Sequence, residues 1–325
     1  MTTISFVVPV YNAAGTLRRC LDSILRQDWP DKEIIAINDG STDGSLALLR
    51  EYEAAHDCVR VIDKANEGVA PTRNLGIREA TGDYLMFVDD DDVIDADYAT
   101  TYMSHLGPHD DIVMGGWRRV DGSGRVILER APAPSEWATY INIYPWDKVF
   151  RRAFLVDNDL GFLDYGIGED LFFTFSAKAK HPRVRVITYV GYTWTDTTTS
   201  VSNTSHKGLN ADLDVLYLLG RVDALYAVRP ALLAYYYERF LVWYLLYSGR
   251  ASAREAFVTE HGRLMAWLDR HRGSPRVTPL SPRLRGEKPL ERASVLAFRV
   301  LRRLHLIDVF ARVYCRGGAY GHTTR

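Results

Sequence analysis

Four consecutive carboxylates, Asp89–Asp92, follow a short apolar segment at Tyr84–Val88. The apolar run after Gly82 is typical of a buried strand, so the four acids are expected in the loop at its end. Adjacent like charges repel by roughly 1 kcal/mol even in water, and a divalent cation would relieve that repulsion. Carboxylate oxygens suit Mg²⁺ or Mn²⁺, which would in turn hold phosphates. On this segment alone, a solvated acidic turn without a metal is the alternative.

A second pair of acids, Glu169 and Asp170, directly follows Gly168 much later in the chain. Acidic residues suit the first turn of a helix, because the positive end of the helix dipole favours them. That local preference explains the pair without any chemistry. A carboxylate held there could also act as a general base, so the two explanations are compatible.

The first ninety residues alternate between apolar, β-branched segments and segments with helical spacing. The strands are predicted at Thr3–Val10, Glu33–Asn38, Val59–Asp63 and Tyr84–Val88. This alternation predicts an α/β fold with a doubly wound, mostly parallel sheet. Ligands of such sheets lie at the carboxyl ends of the strands. The polar loops at Tyr11-Asn12, Asp39-Gly40 and Asp89–Asp92 all fall at such ends, so we expect them to converge.

The composition is that of a globular protein with one large or two medium domains: 325 residues, 47% apolar and 25% charged. Its three cysteines form no metal-binding pattern and favour a reducing, cytoplasmic setting. Neither a signal peptide nor a run of eighteen apolar residues is visible, so we expect no membrane span. The Gly-x-Gly-x-x-Gly fingerprint after the first strand and the P-loop pattern are both absent, which argues against nicotinamide and P-loop chemistry.

The C-terminal third differs in character and in charge. Helices are predicted at Asp212–Val228 and Ala231–Tyr247, and residues 271–325 carry twelve Lys or Arg against three Asp or Glu. Glu291–Tyr314 is predicted as one amphipathic helix, with an apolar stripe and with arginines largely off it. Such a helix can pack on its own domain with a solvated basic face, or lie on a membrane surface. Nucleic acid is the least favoured partner.

Four motifs occur in order within the first ninety-five residues: Val7–Asn12, Asn38–Asp43, Asn66–Gly68 with Arg73–Gly76, and Phe87–Asp92. Together they resemble the nucleotide-sugar-binding half of glycosyltransferase family 2, whose members are inverting enzymes of the GT-A fold. A weaker similarity continues through Trp146–Arg152 and Gly168–Leu171, segments that build the acceptor side in bacterial members. The implied organisation is a GT-A domain at 1–207, with halves at 1–95 and 96–207, followed by a helical region at 208–325.

The resemblance implies a role for each matching residue. The donor nucleotide would contact Pro9, Val10, Tyr11, Asn12, Asp39, Asn66, Gly68, Arg73, Asp89 and Asp90. A Mn²⁺ or Mg²⁺ ion would bind Asp91, with Asp89 beside it facing the ribose; the two share a face if the strand continues that far. Asp170, with Glu169, would remove the acceptor's proton.

Further phosphate or acceptor contacts are expected from a basic residue, two large aromatic residues and a polar loop at Thr193–Ser205. These residues are Lys148, Trp146, Trp194, Ser200, Ser202 and His206. Solvated lysine and core tryptophan are the alternatives for the first three.

The implied function is metal-dependent, inverting and non-processive sugar transfer. The donor would be a nucleoside diphosphate sugar, most simply a UDP-sugar, and the acceptor a saccharide, lipid-linked or polymer hydroxyl in cell-envelope or capsule synthesis. Non-processivity is inferred because membrane spans and a Gln-x-x-Arg-Trp motif are both absent. We expect a cytoplasmic protein that contacts the inner membrane surface through its basic C-terminal helix. A nucleotidyltransferase and a noncatalytic sugar- or membrane-binding module are the alternatives.

Overall fold

The computed structural model describes residues 2–166, 168–196, 209, 214–271 and 277–317. The chain divides into two compact units. The N-terminal unit contains residues 1–134 and 142–197, and the C-terminal unit contains residues 135–141 and 198–325. The second unit therefore takes a short segment from the middle of the chain, which the sequence patterns did not predict.

The strands of the N-terminal unit form one sheet in the order β3-β2-β1-β4-β8-β6-β9-β5, with β7 paired to β6. Their bounds are β1 Ile4–Val10, β2 Lys32–Asp39, β3 Val59–Lys64, β4 Tyr84–Phe87, β5 Val93–Ile94, β6 Ile112–Val120, β7 Val126–Arg130, β8 Lys148–Arg151 and β9 Val184–Thr195. The first four strands pair in parallel, and β8 joins β4 in antiparallel orientation. The predicted α/β sheet is confirmed, and it is mixed beyond β4.

Helices cover this sheet. They are α1 Leu17–Leu25, α2 Ser45–Ala55, α3 Val69–Glu79, α4 Tyr98–Ser104, α6 Arg152–Asp157 and α7 Glu169–Ala179. All seven residues of β1 are buried. A strand covered on both faces needs a continuous apolar sequence, and this is why Ile-Ser-Phe-Val-Val-Pro-Val does not alternate.

The parallel register brings three polar loops to one edge of the sheet. Val10 in β1 pairs with Asn38 in β2, and Val7 pairs with Phe87 in β4. Strand β4 ends at Phe87, and the acids after it form a turn in which the Asp92 amide donates to the Asp89 carbonyl at 3.1 Å. Strand alternation therefore does not apply to Asp89 and Asp91, because the strand on which that expectation depended ends before them.

The C-terminal unit is helical within the described ranges. Its helices are α5 Ala138–Ile141, α8 Val215–Asp223, α9 Ala231–Tyr247, α10 Arg254–Arg270, α11 Pro289–Arg303 and α12 Ile307–Tyr314, with 3₁₀ turns at Gly249–Ala251 and Pro282–Leu284. The bounds of α9 match the prediction, whereas the helix predicted at Asp212–Val228 is observed only over Val215–Asp223.

The single helix predicted at Glu291–Tyr314 is in fact two helices. His305 has φ +57°, and the Leu306 amide donates to the Leu301 carbonyl at 2.8 Å. A left-handed residue followed by this bond is a Schellman ending, in which orphan carbonyls of the last turn are satisfied. The periodicity continues through the break, so the sequence pattern could not reveal it.

Candidate active site

The two acidic clusters meet on one arginine. Arg73, on α3, is 4% exposed. Its Nη1 donates to the Asp170 carboxylate at 2.7 Å and approaches Glu169 at 3.4 Å, while its Nη2 donates to Asp89 at 2.7 Å. Carboxylates that are far apart in the chain therefore share a single guanidinium. The structure thus brings Asp89, Arg73, Glu169 and Asp170 together.

Local structure fixes both sides of this cluster. Gly168 has φ +92°, a left-handed conformation that suits glycine, and it precedes α7 so that Glu169 and Asp170 fill the first turn. The carboxylates thus lie at the positive end of the helix dipole. Opposite them, the Arg73 guanidinium lies over the Phe162 ring at 5.3 Å. Asn74 holds Phe162 in place through bonds to its backbone amide and carbonyl, at 2.7 and 2.9 Å.

The electrostatics of the cluster are unbalanced. Three carboxylates surround one guanidinium, and the Arg73 Nε is buried without a partner among the described residues. Burial raises the pKa of Asp170, Arg73 opposes that rise, and Glu169 and Asp89 add to it, with a net upward shift. A carboxylate whose pKa is raised toward neutrality is suited to take a proton.

The four acids after β4 have different partners. Asp90 accepts from the Tyr11 amide at 2.9 Å and so ties the loop after β1 to the acidic turn. Asp92 is buried and accepts from the Tyr192 hydroxyl at 2.8 Å and the Thr195 amide at 2.9 Å. Asp89 binds Arg73. Within the described part of the chain, only the Asp91 carboxylate receives no hydrogen bond from another residue, although Arg19 binds its backbone carbonyl at 2.5 Å.

Burial raises the pKa values of Asp90, Asp91 and Asp92. The pKa of Asp90 rises to about 8, with the charges of Asp91 and Asp89 adding to the effect. The pKa of Asp91 rises to about 6 through burial and the neighbouring charge of Asp89. For Asp92, burial is again the largest cause of the upward shift in pKa. When these carboxylates are ionised, the turn carries more negative charge than its surroundings neutralise, a condition that a bound cation relieves.

The donor set fits a hard divalent cation that completes its coordination with substrate. No group of three His, Cys, Asp or Glu in the described ranges could hold a metal ion alone. Asp91 instead offers one carboxylate that no other side chain occupies, beside Asp89. Mg²⁺ is commonly held by one or two carboxylates together with substrate phosphates and water. Asp91 and Asp89 therefore suit a metal that arrives with a diphosphate.

Asp39, a residue predicted to bind nucleotide, organises the loop that follows β3. Asp39 accepts from Lys64 and from the amides of Glu67 and Gly68, at 2.9 and 2.8 Å for the two amides. Burial opposes these bonds, but their combined effect lowers the pKa of Asp39. The Asp39 carboxylate thus holds the loop around Asn66. This loop lies so close to Gly40 that a Cβ added to Gly40 would be 2.6 Å from the Asn66 amide nitrogen.

Tyr11 and Asn12, directly after β1, are both exposed to solvent. The Tyr11 ring is 52% exposed. Asn12 has φ +52°, and its side-chain oxygen accepts from the Thr42 amide at 2.8 Å, which joins this loop to the one after β2. Pro9 and Val10, by contrast, are buried in β1. Their contact with nucleotide stays a prediction, and their buried side chains favour contact through the backbone at the end of the strand.

Two site predictions are corrected by burial. Trp146 is 4% exposed, and its ring is stacked on Tyr144 and Tyr192 with centroids at 4.6 and 4.3 Å, so it packs the core and presents no open face to a sugar. Lys148 is equally buried, and its ammonium binds Asp147 and the Tyr144 carbonyl. Its charge acts on Asp170 instead, by opposing the rise in that residue's pKa.

The polar segment at Thr193–Ser205 was predicted to be a loop, but Thr193–Thr195 belong to β9. Trp194 is partly exposed there, with the Arg119 guanidinium over its ring at 4.4 Å. The predicted contacts of Ser200, Ser202 and His206 lie outside the described residues.

Sequence reasoning missed the residues that fix the acidic turn from behind. Tyr192 donates to Asp92 and also accepts from the Asp89 amide at 3.1 Å, so one hydroxyl joins β9 to both ends of the turn. Lys64, which binds Asp39, was missed as well. A tyrosine in a mixed apolar strand and a lysine at a strand end carry no local signal of these roles.

The model of the family described as Glycosyl transferase family 2 matches residues 5–158. Among curated proteins, glycosyltransferase GlyA of Streptococcus pneumoniae is 38% identical over 115 residues, which are 35% of this chain and 16% of that protein. The poly(ribitol-phosphate) beta-glucosyltransferase of Bacillus spizizenii is 31% identical over 194 residues, which are 56% of this chain and 30% of that protein. The chain thus spans less than a third of the length of either relative.

Among solved structures, S. aureus TarS 1–349, in its complex with UDP-GlcNAc, matches with a TM-score of 0.68 and 20% sequence identity. The match covers 96% of this chain and 90% of that one. At this identity the likeness shows the fold, which is therefore the GT-A fold with a helical C-terminal region.

Proposed function

Because the chain belongs to glycosyltransferase family 2 through residues 5–158, we propose that it transfers a sugar from a nucleoside diphosphate sugar to a hydroxyl group with inversion. The observation that carries this proposal is the shared Arg73 guanidinium, which holds Asp89 of the donor side against Asp170 and Glu169 of the acceptor side. Inverting transfer needs a base on the face of the sugar opposite the leaving diphosphate. This cluster holds a candidate base, Asp170, close to Asp89, which is expected to face the donor.

Asp170 is the proposed general base. Its carboxylate takes the proton of the acceptor hydroxyl while the hydroxyl oxygen attacks the anomeric carbon, and the bond from that carbon to the diphosphate oxygen breaks. The raised pKa of Asp170 supports the role, since a base near neutrality accepts a proton more readily. Glu169 orients Asp170 by sharing the Arg73 contact. Arg73 is also the proposed partner of the donor diphosphate, because a planar guanidinium suits phosphate oxygens.

The proposed donor is a UDP-sugar. The fold is shared with a protein whose crystal structure contains UDP-GlcNAc. The exposed Tyr11 follows the carboxyl end of β1, and the loop that Asp39 holds follows that of β3, so both lie where ligands of such sheets bind. Tyr11 offers a stacking surface for the base, and Asp39 and Asn66 lie at the edge of the same loop.

A Mn²⁺ or Mg²⁺ ion is the proposed cofactor. Asp91, with Asp89 beside it, would hold the ion together with the donor diphosphate, and the raised pKa of Asp91 is consistent with a site that lacks neutralising charge. When bound, the ion supplies charge stabilisation to the departing diphosphate.

The proposed acceptor is a saccharide, lipid-linked or polymer hydroxyl in cell-envelope or capsule polysaccharide synthesis, with one sugar added per encounter. Relatives named as acting on poly(ribitol-phosphate) support a polymer acceptor. No helix within the described ranges is both long and apolar enough to cross a bilayer. We propose a cytoplasmic site of action.

Thermal shift with a panel of nucleoside diphosphates and their sugars, with and without Mn²⁺, tests the donor and metal proposals. UDP or a UDP-sugar should raise the melting temperature more with Mn²⁺ than without it, because ligands that bind only the folded state stabilise it. Asp91→Asn should remove the metal-dependent part of the shift. If no nucleotide raises the melting temperature of the wild-type protein, the proposal of sugar transfer fails.

A further inference from the structure

Helix α11 is oriented with its charged side chains toward the protein and its aliphatic side chains toward water. Arg299 forms a two-point ion pair with Glu238 of α9, at 2.7 and 2.5 Å. Arg302 pairs with Asp269 of α10, and Arg292 donates to backbone carbonyls of the preceding loop. Only Val295 and Phe298 of this helix are buried. The packing of α11 therefore depends largely on its arginines, and its apolar stripe is exposed to solvent.

The outward side of α11 and α12 is aliphatic. Six side chains on these helices and at the end of α11 are between 44% and 84% exposed: Leu290, Leu296, Val300, Leu304, Val309 and Val313. Spacing of four residues places Leu296, Val300 and Leu304 on one stripe of α11 and Val309 and Val313 on one stripe of α12. Single exposed aliphatic residues are ordinary, but an ordered series on consecutive helices marks an interaction surface. We call these six residues the outward face.

The charge around the outward face is positive. Arg303 and Arg312 are exposed beside it. The three acids of residues 277–317 are all paired with arginines: Glu287 and Glu291 with Arg239, and Asp308 with Arg254 at 2.7 Å and with Arg312 at 3.9 Å. An apolar surface bordered by arginines, whose nearby acids are all paired, is complementary to an anionic amphiphilic layer.

We propose that the outward face docks on an anionic lipid bilayer, with α11 and α12 lying in the plane of the headgroups. A lipid occupant is favoured over a protein because the outward face holds only Leu and Val, without the Trp and Tyr anchors on which protein interfaces rely, and because its arginines match an anionic headgroup layer. Arg303 and Arg312 can extend to lipid phosphates while their neighbours enter the acyl boundary. The proposal is independent of sugar transfer, and neither requires the other to be correct.

Co-sedimentation of the full chain with vesicles tests the proposal. The protein should bind vesicles containing equal parts phosphatidylglycerol and phosphatidylcholine, bind phosphatidylcholine vesicles at least about tenfold more weakly, and lose affinity as salt rises. The triple variant Leu296→Ser/Val300→Ser/Leu304→Ser should bind the anionic vesicles about tenfold or more weakly, because less apolar area leaves water. Arg303→Gln/Arg312→Gln should weaken binding by roughly tenfold or more and flatten the salt dependence.

The matched control is Val126→Ser/Ile127→Ser, which removes two similarly exposed aliphatic side chains from β7. It should bind vesicles as the wild type does. Circular dichroism and melting temperature identify any variant that has lost its fold. The arginine variant is a second test, because it removes charge and leaves the apolar side chains of the outward face unchanged. Equal vesicle binding by wild type and both outward-face variants would overturn the proposal. Absence of vesicle binding by the wild type would also overturn it. If the wild type then dimerised with concentration and the triple serine variant did not, the occupant of the outward face would be a second copy of the chain.

Discussion

Arginine–carboxylate pairs organise two regions of the molecule in opposite ways. In the N-terminal unit, three carboxylates converge on Arg73, and the four-acid turn adds further charge beside them. In the C-terminal unit, Arg299 and Arg302 each have one matching acid. The first region is left with an excess of negative charge, whereas the two pairs that anchor α11 are balanced one to one.

The difference separates a site from a scaffold. Balanced pairs fix the position of α11 and leave nothing for a ligand to neutralise. An unbalanced cluster is costly to fold, because buried like charges repel and lose hydration. It persists where the missing charge arrives with substrate, and strongly shifted carboxylates are accordingly concentrated at functional sites. The raised pKa values of Asp90, Asp91 and Asp170 mark the N-terminal cluster in this way.

The largest expected effect is on catalysis by the unbalanced cluster. Asp170→Asn should lower the transfer rate by about a thousandfold or more, since it removes the base but keeps the side-chain volume. Nucleotide affinity, measured by calorimetry with Mn²⁺, should stay within a few fold of wild type. A variant that transfers at wild-type rate, or that loses its nucleotide affinity, would contradict the assignment of Asp170 as base.

A large effect on stability is expected at Arg73. Arg73→Met leaves buried carboxylates without their cation and should cost roughly 3 kcal/mol of the free energy of unfolding at neutral pH. Without Arg73, the pKa of Asp170 rises further above its unfolded value. The cost should therefore shrink as the pH falls and Asp170 is protonated, and grow as the pH rises. Urea denaturation at pH 5.5 and 8 measures it, and a loss that does not depend on pH would argue against a charge imbalance.

An intermediate effect is expected for metal affinity as a function of pH. The pKa of Asp91, raised to about 6, implies that protons compete with Mn²⁺ below that pH. In the presence of UDP, affinity should fall by about tenfold per pH unit below 6 and level off above about 7. Isothermal titration of wild type and Asp91→Asn checks this, because the variant should bind weakly at every pH. An unchanged pH profile in Asp91→Asn would identify another carboxylate as the ligand.

The smallest effect is expected at the balanced pairs. Arg299→Met should cost about 1 kcal/mol of the free energy of unfolding, since the pair with Glu238 is partly exposed and the stem of the side chain still packs. Without nucleotide, Mn²⁺ should not change the melting temperature of this variant, just as it should not change that of the wild type. In Arg73→Met, by contrast, Mn²⁺ should recover part of the lost stability. Equal metal responses in the two variants would erase the distinction between the regions.

The sequence predicted the parallel half of the sheet because β1, β2 and β4 are almost wholly buried and therefore largely apolar, and because a turn-forming loop follows each strand. Convergence of the loops at Tyr11, Asp39 and Asp89 followed from strand polarity alone. The partner of each acid could not be predicted in the same way. A shared face for Asp89 and Asp91 was expected only if the strand continued, but β4 ends at Phe87 and a tight turn follows.

Burial was the other quantity that local patterns could not supply. Trp146 and Lys148 follow each other closely in a motif of functional appearance, yet both pack inside, because β8 lies between β4 and β6 in the sheet. The same limit applies to α11. Its period was correctly recognised, but a helical period gives two faces without saying which one meets the protein. That choice depends on Glu238 and Asp269, which are distant in sequence.

The segment at 135–141 has a practical consequence for dissecting the protein. Trp137 is fully buried, and its indole nitrogen donates to Glu287 at 3.0 Å, within a unit whose other residues all come after position 197. The polypeptide thus passes from one unit to the other and back before its final crossing. Truncation directly after residue 197 removes Glu287, so the remaining fragment keeps a large apolar ring whose indole N–H has lost its acceptor, unless Trp137 is replaced by a polar residue.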